Sequence, residues 1–101
     1  MKKYTIHLKG LGPRPAYYLV AEQLWGAGCD IDSDGNSSWS DDTEWTELTL
    51  SLRGTDEQHI EIDPLPSQPL VLVVRSSQEA LARRAAEFIV SVSGGSLEAD
   101  A

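Results

Sequence analysis

Apolar and polar residues alternate in three stretches of the chain, strictly at 3–9 and again at 46–53 and 58–63. A period of two residues predicts strands with one buried face. The residues of these buried faces are Tyr4, Ile6, Leu8, Leu48, Leu50, Leu52, Ile60 and Ile62. The turn-forming residues 54–57 separate the second stretch from the third, so these two strands are predicted to form a hairpin.

A fourth strand is predicted at 70–75, where the residues are almost all apolar and β-branched. An apolar run without alternation is typical of a strand that lies centrally in a sheet or is covered on both faces. The proline-rich residues 64–69 precede it and are expected to form a connecting loop, because proline lacks the donor that a strand ladder needs.

Two helices are predicted between these strands. The first runs from Pro15 to Trp25 or Gly26, with proline in the first turn and glycine at the end. It is expected to bury a subset of Tyr18, Leu19, Ala21, Leu24 and Trp25. The second begins after a capping box formed by Ser76 and Glu79 and ends at Gly94. Its apolar stripe is Leu81, Ala85, Phe88, Ile89 and Val92.

The order of these elements predicts an α+β fold. We expect a two-layer sandwich in which two helices lie on one face of a mainly antiparallel sheet of about four strands. At 101 residues the chain is expected to be a single domain over 1–95. Residues 96–101 are predicted to be an acidic C-terminal tail that frays.

The net charge of −8 is unevenly distributed along the chain. Residues 1–14 carry four positive side chains and no negative ones, whereas residues 15–52 carry eight negative and no positive ones. Direct nucleic-acid binding is therefore not expected, because it needs a basic stripe. A basic protein is the expected partner.

The chain is expected to act in the cytoplasm, without a membrane. The first residues lack the apolar core of a signal peptide, and no apolar run is long enough to cross a bilayer. The single cysteine, Cys29, has no partner for an internal disulfide, which fits a reducing compartment.

The segment 30–47 holds seven carboxylates, two tryptophans and no Lys or Arg. Such a density of like charge is favourable only where a basic partner, a cation or solvent compensates it. In the leading interpretation it is a protein interface, with Trp39 either an exposed anchor or folded back on the core. The candidate partner-binding residues are Asp30, Asp32, Asp34, Trp39, Asp41, Asp42 and Glu44. Trp45, beside a strand, is expected in the core.

An alternative is a calcium site, since residues 30–35 read D-x-D-x-D-G, the opening of a calcium loop. Its candidate ligands are Asp30, Asp32, Asp34, Asn36 and Asp41. The twelfth position is Asp rather than a bidentate Glu, and the following residues predict a strand rather than an exiting helix. No other cofactor is expected. Carbohydrate binding through Trp39 and neighbouring aspartates is a third interpretation, without a spacing signature.

No catalytic constellation is found, so a non-enzymatic protein is expected. His7 and His59 are predicted on the outward face of the sheet. In an extended strand His59 and Asp63 are about 13 Å apart, too far for a hydrogen bond. His59 beside Glu61 is instead a candidate pH-sensitive contact.

The second half of the chain resembles the small cytoplasmic immunity proteins of bacterial polymorphic-toxin systems. The resemblance lies in the hairpin from Trp45 to Pro64, the strand from Pro69 to Ser76 and the Ala/Arg-rich helix from Leu81 that ends at Gly94 and Gly95. It implies a protein that binds and blocks one cognate toxin, often by offering acidic residues to a basic face. Dimerisation through a sheet edge is also left open.

The calcium hypothesis predicts a calcium-specific rise in the thermal midpoint of unfolding. A ligand present at a hundred times its dissociation constant adds about 2.7 kcal/mol, which shifts the midpoint of a domain this size by several degrees. The measurement is thermal unfolding in excess EDTA, in millimolar calcium and in millimolar magnesium. Three superimposable curves would remove calcium from consideration.

Overall fold

The computed structural model describes residues 4–35, 42–54, 58–66 and 70–99 of the chain. Within them the elements follow one another as β1 Tyr4–Lys9, α1 Tyr17–Trp25, β2 Ile31–Gly35, β3 Leu48–Leu52, β4 His59–Pro64, β5 Val71–Ser76, α2 Glu79–Ser93 and β6 Ser96–Ala99. The predicted α+β class, with two helices and an antiparallel sheet, is confirmed.

The described strands form one sheet in the order β2-β3-β4-β5-β1-β6, with every neighbouring pair antiparallel. The predicted hairpin is β3 and β4, and the predicted central strand is β5. The expected number of about four strands is too low, because β2 and β6 flank the sheet. Each has one hydrogen-bonded neighbour and buries little, so neither carries the alternation of apolar residues that marked the others.

The core lies between the two helices and one face of the sheet. Of the eight residues predicted on the inward faces of β1, β3 and β4, six are buried in it and Tyr4 packs against it, whereas Leu52 is half-buried at the end of β3. The largest side chain in this core is Trp45, which is 1 % exposed and confirms the core position expected for it. The opposite sheet face is open and carries mainly polar and charged side chains.

Helix α1 buries Ala21 and Leu24 of the predicted subset. Val20 is buried as well, whereas Tyr18 and Leu19 are exposed. The inward stripe falls at 17, 20, 21 and 24 of a helix that begins at Tyr17. Trp25 packs partly buried at the end of the helix, where its indole N–H donates to Gln58 Oε1 at 3.0 Å.

Helix α2 buries Leu81, Ala85 and Ile89 as predicted, but Val92 is exposed. The predicted capping box is wrong, because Ser76 is the last residue of β5 and α2 begins at Glu79. The Ser76 hydroxyl donates to the carbonyl of His59 at 2.7 Å and accepts the Gln78 N–H at 3.0 Å, so it joins β4 to the turn before α2. In the described part of the chain neither helix is long and apolar enough to cross a membrane.

The turn between α2 and β6 contradicts the prediction that the tail frays from residue 96. Gly94 and Gly95 have φ of +80° and +87°, and this reversal brings Ser96–Ala99 alongside β1. Gly95 lies so close to β1 that a Cβ atom there would collide with the carbonyl oxygen of Lys9. Leu97 packs against the core, and Lys9 Nζ lies 3.1 Å from Glu98 Oε2.

The G95A substitution is expected to destabilise the protein by roughly 1–3 kcal/mol more than G54A does. Both glycines have nearly the same positive φ, +87° and +88°, so both variants incur the cost of a left-handed alanine. Only Gly95 has a backbone oxygen in the way, since no described atom lies within 4 Å of a Cβ at Gly54. Urea unfolding of the two variants measures the difference. Equal losses would show that β6 moves aside without cost.

Candidate interaction site

Strand β2 forms one edge of the sheet and carries two of the predicted acidic residues, with a third just before it. Ile31 pairs with Leu52 and Gly35 with Leu48, so Asp32 and Asp34 project to the open face, opposite Ser51 and Thr49. Asp30 directly precedes the strand, and all three aspartates are exposed. The structure therefore places Asp30, Asp32 and Asp34 in a row at about 7 Å intervals along an extended edge.

The backbone of β2 bonds to β3 at alternate residues. The Arg53 N–H donates to the carbonyl of Asp30 at 2.9 Å, which sets 30/53, 32/51 and 34/49 as the hydrogen-bonded pairs of the ladder. The N–H and C=O groups of Ile31, Ser33 and Gly35 consequently point away from β3. At the end of the strand, Asp34 Oδ1 accepts the Gly35 N–H at 2.9 Å.

Arg53 neutralises part of this acidic row. Its Nη2 lies 2.8 Å from Asp32 Oδ1 and its Nη1 lies 3.3 Å from Asp30 Oδ1. The same Nη2 reaches the carbonyl of Ile31 at 3.4 Å. The hydrogen bond to Asp32, followed by the charges of Asp30 and Asp32, raises the pKa of Arg53 above its ordinary value, so its charge is permanent.

Asp42 and Glu44 lie in the segment that leads into β3, next to the Gly35 end of β2. Asp42 Oδ1 accepts the Glu44 N–H at 2.8 Å and orders the turn. Glu44 Oε2 lies 3.7 Å from Nη2 of Arg14, whose side chain is only 7 % exposed. Glu44 is thus both an exposed carboxylate and the charge partner of a buried arginine.

Hydrogen bonds join the segment around Arg14 to the segment around Trp45. Arg14 Nε donates to the carbonyl of Trp45 at 2.8 Å, and Trp45 Nε1 donates to the carbonyl of Pro15 at 2.8 Å. The Arg14 backbone N–H also donates to the carbonyl of Thr43 at 2.8 Å. These bonds fix the acidic segment 42–45 against the residues that begin α1.

A cleft of about 200 Å³ opens beside β2, on the side of the sheet that carries the helices. Ser33 and Gly35 face it from β2 and Tyr17 from the start of α1. Asp34, Glu47 and Leu48 complete its lining. The edge of the sheet thus presents an acidic row on one face and a small cleft on the other.

A second polar group lies on the open face, at the β3–β4 hairpin. Ser51 Oγ lies 2.6 Å from His59 Nδ1, and His59 Nε2 lies 3.2 Å from Glu61 Oε1. Ser51 and His59 are paired across strands without a ladder bond between them, the position where opposing side chains come closest. The outward position predicted for His59 is confirmed, and its contact with Glu61 is present. Its hydrogen bond to Ser51 was not predicted, since only the register between the strands reveals it.

The remaining predicted site residues lie outside the described residues. These are Trp39 and Asp41 of the partner-binding set and Asn36 and Asp41 of the calcium set. The D-x-D-x-D-G segment is strand rather than loop in the structure, and Arg53 engages its first two aspartates. Among the described residues no group of three or more His, Cys, Asp or Glu side chains is arranged to hold a metal ion. Calcium binding stays a prediction.

Comparison of the chain with protein-family models, curated proteins and solved structures found no match. The functional interpretation therefore depends on the site alone.

Two features of the site were missed in the sequence. Arg14 was counted as part of a basic N-terminal stretch, yet it is buried against Trp45. Arg53 ends the alternating stretch 46–53, but its pairing with Asp30 and Asp32 was not predicted. Both depend on contacts between residues that lie more than 20 positions apart, and no local pattern signals them.

The R14M substitution is expected to lower the free energy of unfolding by about 2–4 kcal/mol. It leaves the carbonyls of Trp45 and Gly12 without a donor in a buried site. Urea unfolding measures the change, with R53M as the matched control because Arg53 is an exposed arginine that likewise pairs with carboxylates. The control is expected to unfold close to the wild type. A small decrease in the free energy of unfolding of R14M would mean that water donates to these carbonyls in place of the arginine.

Proposed function

We propose that this chain is a non-enzymatic binding protein of the immunity type, which blocks a basic partner such as a cognate toxin. The contact surface is the edge formed by β2 and the segment 42–47. The single observation that supports this most is the concentration of exposed carboxylates at that edge, on backbone that is hydrogen-bonded in place.

The charge balance of the edge favours a cationic partner. Six carboxylates lie there among the described residues, against Arg14 and Arg53, which gives −6 + 2 = −4. The six are Asp30, Asp32, Asp34, Asp42, Glu44 and Glu47. Half of the net charge of −8 is therefore carried by one edge of the molecule. Such a field raises the association rate of an oppositely charged protein and repels acidic competitors.

The edge is also preorganised. β2 is held to β3 over its whole length, and the Arg14 and Trp45 bonds fix the segment that follows. A partner that binds there meets a backbone already held in place, so less main-chain entropy is lost on association. A held backbone suits the tight binding that an inhibitor requires.

Protection from a toxin tests the proposal directly. A basic toxin encoded next to the gene for this chain is produced in bacterial cells with and without the chain. The chain is expected to restore growth and to form a complex with the purified toxin. Growth inhibition that persists at full expression of the folded chain would contradict the proposal.

The D32N/D34N double variant is expected to associate with that toxin about three- to tenfold more slowly at low salt. Its rate should also depend less on salt, because two charges of the attracting field are removed. Stopped-flow kinetics at several salt concentrations measures both effects. The control is E79Q/E87Q, which removes two exposed carboxylates from α2 in the helix layer. Equal slowing in both variants would show that net charge, rather than this edge, attracts the partner.

A further inference from the structure

The free edge of β2 has the geometry to accept another strand. Ser33 lies at its middle, and its backbone N–H and C=O point away from β3 because the hydrogen-bonded pairs fall at 30, 32 and 34. Among the described residues no hydrogen bond joins another group to the Ser33 backbone. Arg53 donates to the carbonyl of Ile31 and Asp34 Oδ1 accepts the N–H of Gly35, so one outward group at each end of the strand already has a partner.

The charges beside this edge specify what the strand must carry. Asp32 and Asp34 flank Ser33 and project to the open face about 7 Å apart, the spacing of residues i and i+2 in an extended chain. A strand paired with β2 places every second side chain on that same face. Lysine or arginine at alternate positions would therefore lie beside Asp32 and Asp34.

The side chains between those basic residues would face the helix layer. There they meet the cleft of about 200 Å³, which is lined by Tyr17, Ser33 and Leu48 among others. A cleft of this size accommodates a small uncharged side chain. The edge thus fits a strand in which basic side chains, on the open face, alternate with small side chains, on the face toward the helices.

We propose that the partner binds by strand addition, with an extended basic segment pairing antiparallel to β2. This inference rests on the proposed function and specifies how the partner is held. Main-chain hydrogen bonds to Ser33 would supply affinity, and the alternating side chains would supply specificity.

A second copy of this chain fits the edge less well. Two β2 strands paired antiparallel would bring their aspartates together, and like charges across strands are destabilising. The other sheet edge, β6, carries Glu98 already paired with Lys9, so it offers no basic row to β2. Charge complementarity therefore selects a basic partner.

Labelled nine-residue peptides in which lysine and threonine alternate test this mode of binding. In antiparallel pairing the threonine N–H groups face Ser33 and the lysine N–H groups face solvent. Two versions are compared by fluorescence anisotropy, one N-methylated at its threonines and one at its lysines. They have equal charge, yet the threonine-methylated peptide is expected to bind at least about tenfold more weakly, because it lacks the donors that pair with β2.

Variants of the protein supply the complementary test. S33P removes the outward N–H from an edge position where proline is tolerated, and S33A keeps that N–H while removing the hydroxyl. S33P is expected to weaken binding of the unmodified peptide about tenfold and S33A to leave it nearly unchanged, with thermal unfolding confirming that both variants fold. Exchange of the Ser33 amide hydrogen, followed by NMR, should slow when the peptide is added to the wild type.

The outcomes separate this inference from the proposed function. Equal binding of the two methylated peptides, with unchanged Ser33 exchange, would overturn strand addition even if D32N/D34N binds more weakly. Absence of binding by the unmodified peptide, or a wild-type dimer that S33P dissociates in sedimentation, would overturn it as well. Protection from the toxin is measured independently, and if S33P protected as well as the wild type, the function would stand without this mode of binding.

Discussion

The hydrogen bonds that join Trp45 to Arg14 and Pro15 organise one end of this molecule. Trp45 fills the core while its carbonyl and indole N–H bind the segment that begins α1, and Arg14 enters the same site from that segment. The Trp45 carbonyl accepts from Arg14 Nε and its indole N–H donates to the carbonyl of Pro15, so these polar groups are buried with partners. Because Trp45 lies three residues before β3, this contact also sets where the acidic segment ends and where β3 begins. The position of the carboxylates is thus a consequence of how the core closes.

The β2 edge and the core are linked through the hydrogen-bonded pairing of β2 with β3. β3 buries Leu48 and Leu50 on its inner face and holds β2 on its outer edge, so the apolar side chains that stabilise the fold also determine the orientation of Asp32 and Asp34. A strand with one half-buried apolar residue, Ile31, owes its position to its neighbour rather than to its own burial. The protein can therefore carry a row of like charges there, since the strand bearing it contributes little to the core. Arg53, from the end of the same neighbour, offsets part of the repulsion.

The elements that sequence patterns predicted are those whose own side chains enter the core. β1, β3 and β4 carry Ile6, Leu48 and Ile60 in alternating positions, β5 carries Val74 in a continuous apolar run, and both helices carry an apolar stripe. Strands β2 and β6 were missed because their evidence lies in another part of the chain, in the free edges of β3 and β1. The acidic residues of the candidate site were found from local composition, but their pairing with Arg14 and Arg53 was not. The stripe of α1 was predicted only as a subset of five residues, of which Ala21 and Leu24 are buried.

The place of β1 in the sheet has a consequence for how the chain acquires its structure. It is the first strand in sequence, yet it lies between β5 and β6, and its partners in β5 are 62 to 72 residues away, from 71 − 9 to 76 − 4. Loops of this length must close before the central pairing forms, which places the protein among slow-folding topologies with many non-local contacts. During synthesis β1 is made first, and both of its edges stay unpaired until β5 and β6 have been made. The β3–β4 hairpin, closed by a short turn, can form in the meantime and serve as the template on which the two ends of the chain assemble.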